Sequence, residues 1–417
     1  MDNIDVTPRF DLDLTQPEPM PQQSIDRATE LMRTGRLFRY GETAPGELND
    51  AALLEQRFAE MLGRKFAVGV NSCGAALFLA LRSSGVRPGD KVLVNGYTLA
   101  PVPGAIEHAG AVPVLVEVTD NCTIDLQDLV GKALASGART LLLSHMRGHI
   151  SDMDEVSGIC AKYGITLIED CAHTLGASWD GKPTGTFGTA ACFSLQTFKH
   201  INSGEGGIIV TDDEELAARA ILHSGSYMLY GQHAARPPES SFEKLRGQIP
   251  NYSLRLSALA AALALPQLDL LPERAGRMTA SYRCVEQLLR SIDGVHVIER
   301  AAKEQFIGSS LQFCLPGLSG EQIADFVGIC HGHGLGLKWF GGPRMEGFTS
   351  RPSQWEYVAG AGTLPQTEKL LATLCDMRIP PAMEEKHCRQ AAQIITYALR
   401  QATSTGDHAL SVPTNRP

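Results

Sequence analysis

Ile165-Thr166-Leu167-Ile168-Glu169-Asp170-Cys171-Ala172-His173 is the stretch that decides the architecture. Its apolar, β-branched start, Ile165 to Glu169, reads as a buried strand. It ends in acids and small residues, and a helical pattern over 152–163 precedes it. The same unit recurs on both sides. Strand-like runs fall at Phe66–Val70, Lys91–Val94, Val112–Val118, Thr140–Ser144, Ala191–Ser194 and Gly207–Val210, with further helical patterns at 74–84 and 99–109. Strands that are apolar almost throughout, alternating with helices, predict an α/β domain. Its sheet is mostly parallel and covered on both faces.

Outside this region the texture differs. Leu254 to Leu289 reads as a long helix interrupted near Pro266. Beyond it come short strands at Val295–Ile298, Leu311–Leu315 and Met377–Ile379, and helices at 320–333 and 383–401. The expected division is a loose arm over 1–22, a large domain over 23–253, a smaller α+β domain over 254–403 and a flexible tail over 404–417. Tyr227 to Ile249, polar and Pro-rich, reads as a long surface loop.

Composition narrows the function class. With 417 residues, 43% of them hydrophobic, the chain can bury more than one core. A formal charge of −9 without long basic runs argues against nucleic acid as a partner. The ten cysteines form no CxxC pair, which disfavours a disulfide scaffold or a zinc ribbon. They are read as thiols of a reducing, cytoplasmic setting. No signal peptide or spanning stretch is recognised. His331 and His333 lack a nearby acidic cluster, so no metal site is expected.

Asp170 lies where a parallel strand ends, the edge at which open α/β sheets bind ligands. A carboxylate there suits a cofactor such as pyridoxal phosphate (PLP), whose ring nitrogen must stay protonated to draw electrons. Glu169, one residue earlier, points to the other face. An N-cap aspartate is the competing reading of Asp170. A second segment, Cys192 to Gly207, carries Lys199 beyond another strand, beside hydroxyls and a Gly204-Glu205-Gly206-Gly207 turn. Such a lysine suits a Schiff base, its amine pushed toward neutrality by burial and positive surroundings. A surface lysine is the alternative. Ser194 offers a hydroxyl to a phosphate. The small residues of Asn71-Ser72-Cys73-Gly74-Ala75 lead into a helix whose first N–H groups suit a phosphate. Tyr97 is a candidate to stack on the ring, or a plain core tyrosine.

Taken in order over about 30–270, these segments resemble the DegT/DnrJ/EryC1/StrS family of PLP-dependent sugar aminotransferases. The matching stretches include Gly35–Gly41, Phe58–Val70, Ser72–Leu81, Arg87–Val92, Gly148–Asp154, Ile168–Gly176, Phe193–Asp212 and Arg255–Leu259. The resemblance implies fold type I, the aspartate-aminotransferase-like fold, with a mostly parallel seven-stranded sheet and a smaller C-terminal α+β domain. By the same resemblance Lys199 is the Schiff-base lysine and Asp170 the partner of the ring nitrogen. His173 contacts the phenolic oxygen, Ser194, Gly74 and Ala75 hold the phosphate, and Tyr97 stacks on the ring. Cys73 stands where the family usually has Gly, Gly74 where it has Thr, and Gln196 where His is common. Ser253 stands where Asn often precedes the arginine matched by Arg255, and Asn251 is the candidate substitute. A homodimer is implied, with a loop of the partner subunit reaching the phosphate.

The implied activity is transfer of an amino group from glutamate or glutamine to a keto group on a small biosynthetic intermediate, sugar-like or otherwise. Arg39, Tyr40, His200, Lys338 and Arg344 are candidate substrate contacts, and Arg147 a further candidate for an anion. Leu337–Arg344 shows no His-Tyr-Pro-type stretch of the sugar enzymes, which points away from a standard nucleotide sugar. Two alternatives stand beside transamination: a lyase or decarboxylase on the same scaffold, and a non-catalytic PLP-binding regulator. Lys199-His200 bears on the first, because family dehydratases carry His in place of the lysine.

Overall fold

The computed structural model describes residues 9–40, 47–226, 229–346, 350–358 and 362–407. In chain order the strands of the first half are β1 (Phe66–Val70), β2 (Lys91–Asn95), β3 (Val112–Val116), β4 (Thr140–Ser144) and β5 (Thr166–Asp170). They are followed by β6 (Ser178–Trp179), β7 (Lys182–Pro183), β8 (Ala190–Ser194) and β9 (Gly207–Thr211). Seven of them form one sheet in the order β1-β9-β8-β5-β4-β2-β3. The β2–β3, β2–β4, β4–β5 and β5–β8 pairs are parallel. Only β9 runs against both of its neighbours, β1 and β8. This is the doubly covered α/β sheet expected, with β5 starting one residue later and running through Asp170.

Every residue of β1, β4, β8 and β9 is buried. Helices lie on both faces, so both sets of alternating side chains need apolar surroundings. In β4, Leu142 packs with Leu77, Leu81 and Ile221 on one face. Leu141 and Leu143 pack with Leu129, Met153 and Val156 on the other. Local signals bound the helices. Asp152 accepts the backbone N–H groups of Asp154 and Glu155 at the start of Met153–Tyr163, and Gly164 ends that helix at φ 63°.

The remaining strands are β10 (His296–Val297), β11 (Glu304–Gln305), β12 (Ser310–Cys314), β13 (Leu337–Trp339) and β14 (Leu374–Arg378). Four make an antiparallel sheet, β10-β12-β14-β13. Its core includes Val285, Leu311, Phe313, Phe326 and Ile395. The short β11 joins β6 and β7 in a three-stranded patch, tying the C-terminal part to the loop after β5.

Several sequence expectations need correction. The described part of the arm is docked, not loose: Phe10 and Leu14 are buried in the second core, and Phe10 N–H donates to His333 C=O. Helices at Gln22–Thr34 and Asp50–Leu62 were not anticipated. The long helix is two: Ala258–Ala264 and Leu271–Arg290, separated by a tighter turn at Leu265–Leu268 that contains Pro266. Residues 254–257 lie outside it, and Arg255 bridges to Val70. Leu256, Ala261, Ala264 and Leu265 pack on the first sheet, so the change of texture at 254 is not a change of core. The last helix, Glu385–Asp407, continues beyond 401 and into the supposed tail. Residues 1–8 and 408–417 lie outside the described residues. Within Tyr227–Ile249, Tyr230 stacks on Phe242 at 4.2 Å and Leu245 and Ile249 are core residues, so the segment is packed instead of a surface loop; positions 227–228 lie outside the described residues. No helix among the described residues is long and apolar enough to cross a membrane.

Candidate active site

Register brings the chemistry to one edge. Ser144 is level with Asp170, and Asp170 with Cys192. Ser194, Gly207 and Val70 are level in turn, because β9 runs back along β8 and β1. The C-terminal ends of β4, β5, β8 and β1 therefore converge with the start of the helix Cys73–Ser83. Gly207 is required there. A side-chain carbon at that position would lie 2.4 Å from the Ser72 carbonyl oxygen.

At this edge the two neighbouring acids separate. Glu169 faces away: its carboxylate accepts the N–H groups of Gly185, Phe187 and Gly188, each at 2.8 Å, and lies 3.3 Å from His145 Nε2. With Cys171 these residues form a buried group of metal-ligand types. The oxygens of Glu169 are already committed to the backbone, so the group reads as a loop anchor. Asp170 faces the edge. Its Oδ2 accepts the Ser144 hydroxyl at 2.8 Å and its Oδ1 the Ala172 N–H at 3.1 Å. Burial pushes this carboxyl up, against the hydrogen bonds from Ser144 and Ala172 and the charge of Lys199. No cationic side chain lies within ion-pair distance of it among the described residues.

Lys199 sits on the loop that extends the β8–β9 pair, held by Lys199 N–H to Gln196 C=O and Thr197 N–H to Gly204 C=O. Its Nζ is 2.9 Å from His173 Nε2. Burial first, then the Arg147 guanidinium, push the amine down to about 8. Burial and the Lys199 charge keep the His173 ring well below its ordinary value, hence neutral, so Nε2 accepts from the lysine and the ring proton is on Nδ1. Asp170 and the Cys73 thiol are near enough for their charges to act on Lys199. The structure thus brings Lys199, His173, Asp170 and Cys73 together, with Ser194 at the same sheet edge.

The helix start is partly used. Ser72 Oγ accepts the Ala75 N–H at 3.0 Å, so Ala75 is not a phosphate donor in this arrangement, contrary to expectation. The amides of Cys73 and Gly74, in the first turn, have no intrahelical acceptor.

Other sequence candidates fall elsewhere. Tyr97 is 1% exposed and meets Phe340 edge-on at 5.2 Å, in a cluster with Val118, Cys122 and Met146. It is a core tyrosine, and among the described residues no contact ties it to Lys199. His200 Nδ1 lies 3.0 Å from the Leu175 carbonyl and the ring is buried, so its role is to hold the loop. Arg344 is exposed and has no contact with this group among the described residues. Asn251 Oδ1 accepts both the N–H and the hydroxyl of Ser253, and among the described residues no contact ties either to Lys199. Lys338 lies opposite Asp376 on β13.

Arg39 and Tyr40 are structural. Arg39 is 1% exposed and its Nη2 donates to Glu55 Oε2 at 2.6 Å. His233 lies between them and Ser226: Nδ1 faces Arg39 Nη2 at 2.7 Å and Nε2 faces Tyr40 and Ser226 at 2.8 Å. Glu55 Oε1 also accepts the Gly69 N–H, pinning Asp50–Leu62 to β1. Burial alone would raise the Glu55 carboxyl, but Arg39 and His233 hold it down at about 2. Glu55→Ala leaves Arg39 buried without its partner and is expected to cost about 3–5 kcal/mol in denaturant unfolding. The folded value lies below the ordinary one, so the contribution of Glu55 is complete above about pH 4.3. It is lost as pH falls toward about 2.

Two residues at the site escaped the sequence reading. Ser144 was legible in principle, since it ends the strand next to β5. Arg378 carried no motif.

A profile of the DegT/DnrJ/EryC1/StrS aminotransferase family matches residues 21–396, well beyond the 30–270 over which the resemblance was recognised. The chain is 30% identical over 289 residues to the spore coat polysaccharide biosynthesis protein SpsC of Bacillus subtilis, covering 66% of this chain and 71% of that protein. It is 33% identical over 240 residues to a putative L-glutamine:3-amino-2,3-dideoxy-scyllo-inosose aminotransferase of Micromonospora echinospora, covering 57% of this chain and 55% of the relative. The fold matches the putative sugar aminotransferase Spr1654 of Streptococcus pneumoniae. Its PMP-form superposes with TM-score 0.80 at 18% identity over 94% of this chain and 100% of that one, and a PLP-form is also known. With a fold-type-I sheet, and a family match that runs from the first helix into the last, this chain belongs to the DegT/DnrJ/EryC1/StrS aminotransferase family.

Proposed function

We propose that this enzyme moves an amino group from glutamate or glutamine to the keto group of a small sugar-like or cyclitol-like intermediate, with PLP carried on Lys199. The observation that carries the reading is the half-buried Lys199, its Nζ 2.9 Å from a neutral His173 at the sheet edge where Asp170 also faces. The residues fit the cofactor. Asp170 is a buried carboxyl without a cationic partner in contact, suited to a protonated ring nitrogen. The first-turn amides of Cys73 and Gly74, with Ser194, suit a phosphate. Bound there, PLP supplies an electrophilic carbonyl carbon and an electron sink.

The chain's own groups do the rest. Lys199 Nζ, at about 8, gains or loses a proton near neutral pH and serves as base and then acid at the substrate carbon. His173 Nε2 holds that amine in place. Ser144 Oγ orients the Asp170 carboxylate, and burial keeps water from it. The donor in the Micromonospora relative's name, L-glutamine, supports the choice of donor. His200 Nδ1 is tied to the Leu175 carbonyl, and Lys199 stands where family dehydratases carry their first His, which favours transamination over the lyase alternative.

A homodimer is part of the proposal. Leu37 and Phe38 are 41% and 53% exposed, and the Arg255 guanidinium carbon is 5.7 Å from the Phe38 ring centroid, so this face carries apolar surface beside the Asn251–Ser253 loop. All ten cysteines are unbridged, in keeping with a reducing compartment. The test is a screen of amines against the PLP-loaded enzyme. Glutamine or glutamate is expected to bleach the cofactor's visible band and release the matching oxo acid, and a keto cyclitol to restore it. Retained PLP that no amine bleaches would refute the reading.

A further inference from the structure

Two thiols meet where the last helix begins. Cys388 lies in the first turn of Glu385–Asp407, and Cys284 on the helix Leu271–Arg290 packed against it. The Cys388 thiol is in hydrogen-bond contact with the Cys284 thiol. Its Sγ also lies 3.6 Å from the Ser281 carbonyl oxygen and 3.4 Å from that of Glu384. Ser281 and Cys284 are three apart on one helix, so they share the face that Cys388 meets. Ser281 Oγ donates to the Met383 carbonyl at 2.6 Å, which fixes the approach of the two elements. Both thiols are free.

The two differ in exposure. Cys388 is buried in the second core, and Cys284 is half-buried at the edge of that core. A solvent-borne oxidant therefore reaches Cys284 first. Burial, then the contact with Cys284, push the Cys388 thiol up to about 12, so it stays a thiol until its neighbour has reacted. Other neighbouring thiols, Cys171 with Cys192 and Cys314 with Cys375, have both members buried. The segment that leads into Cys388 also lines a cleft beside the Lys199 loop. Ile379, Pro380 and Pro381 share that cleft with Thr197, Phe198 and Lys199. Arg277 Nη1 donates to the Pro381 carbonyl at 3.2 Å, an exposed contact.

We infer that Cys284 and Cys388 close to a reversible disulfide under peroxide and clamp the 379–384 segment to the helix Leu271–Arg290. The Cys284 sulfur attacks one peroxide oxygen, the O–O bond breaks, water leaves and a sulfenic acid forms. The Cys388 sulfur then attacks that sulfur. The S–S bond forms, the S–O bond breaks, and the hydroxyl leaves as water with the Cys388 proton. Two thiols lose two electrons and two protons, and one peroxide becomes two waters. A dithiol reverses the bond by exchange. The sulfurs start in contact, so closing to about 2 Å asks only for side-chain rotation. The bond also closes a loop of about 100 residues, which removes freedom from the unfolded chain.

The experiment uses the PLP-loaded full chain in three states: reduced, treated with hydrogen peroxide, and treated with peroxide and then dithiothreitol. Non-reducing peptide mapping is expected to find the Cys284 peptide joined to the Cys388 peptide after peroxide and separate again after dithiothreitol. Amide hydrogen exchange over 379–384 is expected to slow about 10-fold in the bridged protein. The thermal midpoint should rise by about 5 °C. Cys284→Ser is expected to remove all three changes, and its half-buried position spares the core. Cys388→Ala removes them from the other side. No joined peptide, or Cys284 carried on to sulfinic acid beside an unreacted Cys388, overturns the inference. So does a mapped bond with unchanged exchange over 379–384, or a response that survives in Cys284→Ser. None of these readouts needs turnover, so they stand or fall apart from the transamination reading.

Discussion

Lys199→Ala is expected to lower turnover by about 10^4-fold or more, because one amine is asked both to carry the cofactor and to move the proton. No other group replaces it. His173 is neutral and points its Nε2 at the lysine, and Lys338 projects from β13 of the second sheet. Borohydride reduction of the loaded wild-type protein, followed by peptide mapping, should place the pyridoxyl group on Lys199 and nowhere else. A label on another lysine, or an alanine variant at near wild-type rate, ends the proposal. The amine also makes a pH prediction. Its neutral form is the nucleophile, so labelling of Lys199 in the cofactor-free protein by an amine-directed reagent should rise as pH increases through about 8 and level off above it. An exposed lysine would instead keep rising to about pH 10.4.

Asp170→Asn is expected to lower kcat by about 10^3-fold, comparable to losing a fixed electrostatic contact to a developing charge in a buried site. The substitution preserves shape, and the asparagine oxygen keeps one of the two hydrogen bonds, from the Ser144 hydroxyl or from the Ala172 N–H. What it removes is the negative charge that would keep the ring nitrogen protonated. Burial works against that charge, and a protonated ring nitrogen would compensate it, so loaded wild-type protein should hold Asp170 ionised at neutral pH. The measurements are single-turnover rates and the cofactor spectrum against pH. In the variant the spectral transition of the ring nitrogen should move to lower pH. A variant with unchanged rate and spectrum would mean that Asp170 is only a turn-forming residue.

Much of this was legible in the chain because the signals are local. Apolar runs such as Thr140–Ser144 and Phe66–Val70 match the strands residue for residue. The Gly204-Glu205-Gly206-Gly207 turn suits a close pass of backbone by a neighbour, and Gly207 makes that contact with Ser72. The choice of Asp170 over Glu169 followed from strand alternation alone, and the two carboxylates do face opposite sides. Errors arose where a side chain's surroundings come from distant segments. Arg39 and Tyr40 look like ligand contacts in sequence, but Glu55 and His233 enclose them. Tyr97 follows a strand end, where a ligand contact is plausible, yet Phe340 from the far part of the chain covers it.

The order of hydrophobic and small residues by itself determined the strands, the parallel sheet and the edge at which Lys199 and Asp170 lie, because strand periodicity and βα connections depend on neighbours in the chain. Tertiary structure alone decided which charges meet there. The pairing of Arg147 with Asp376 joins positions more than two hundred residues apart, and it leaves Arg378 on Phe198 without a carboxylate. An ion pair depends on distance and burial in space, and neither is written in the spacing of residues along one strand.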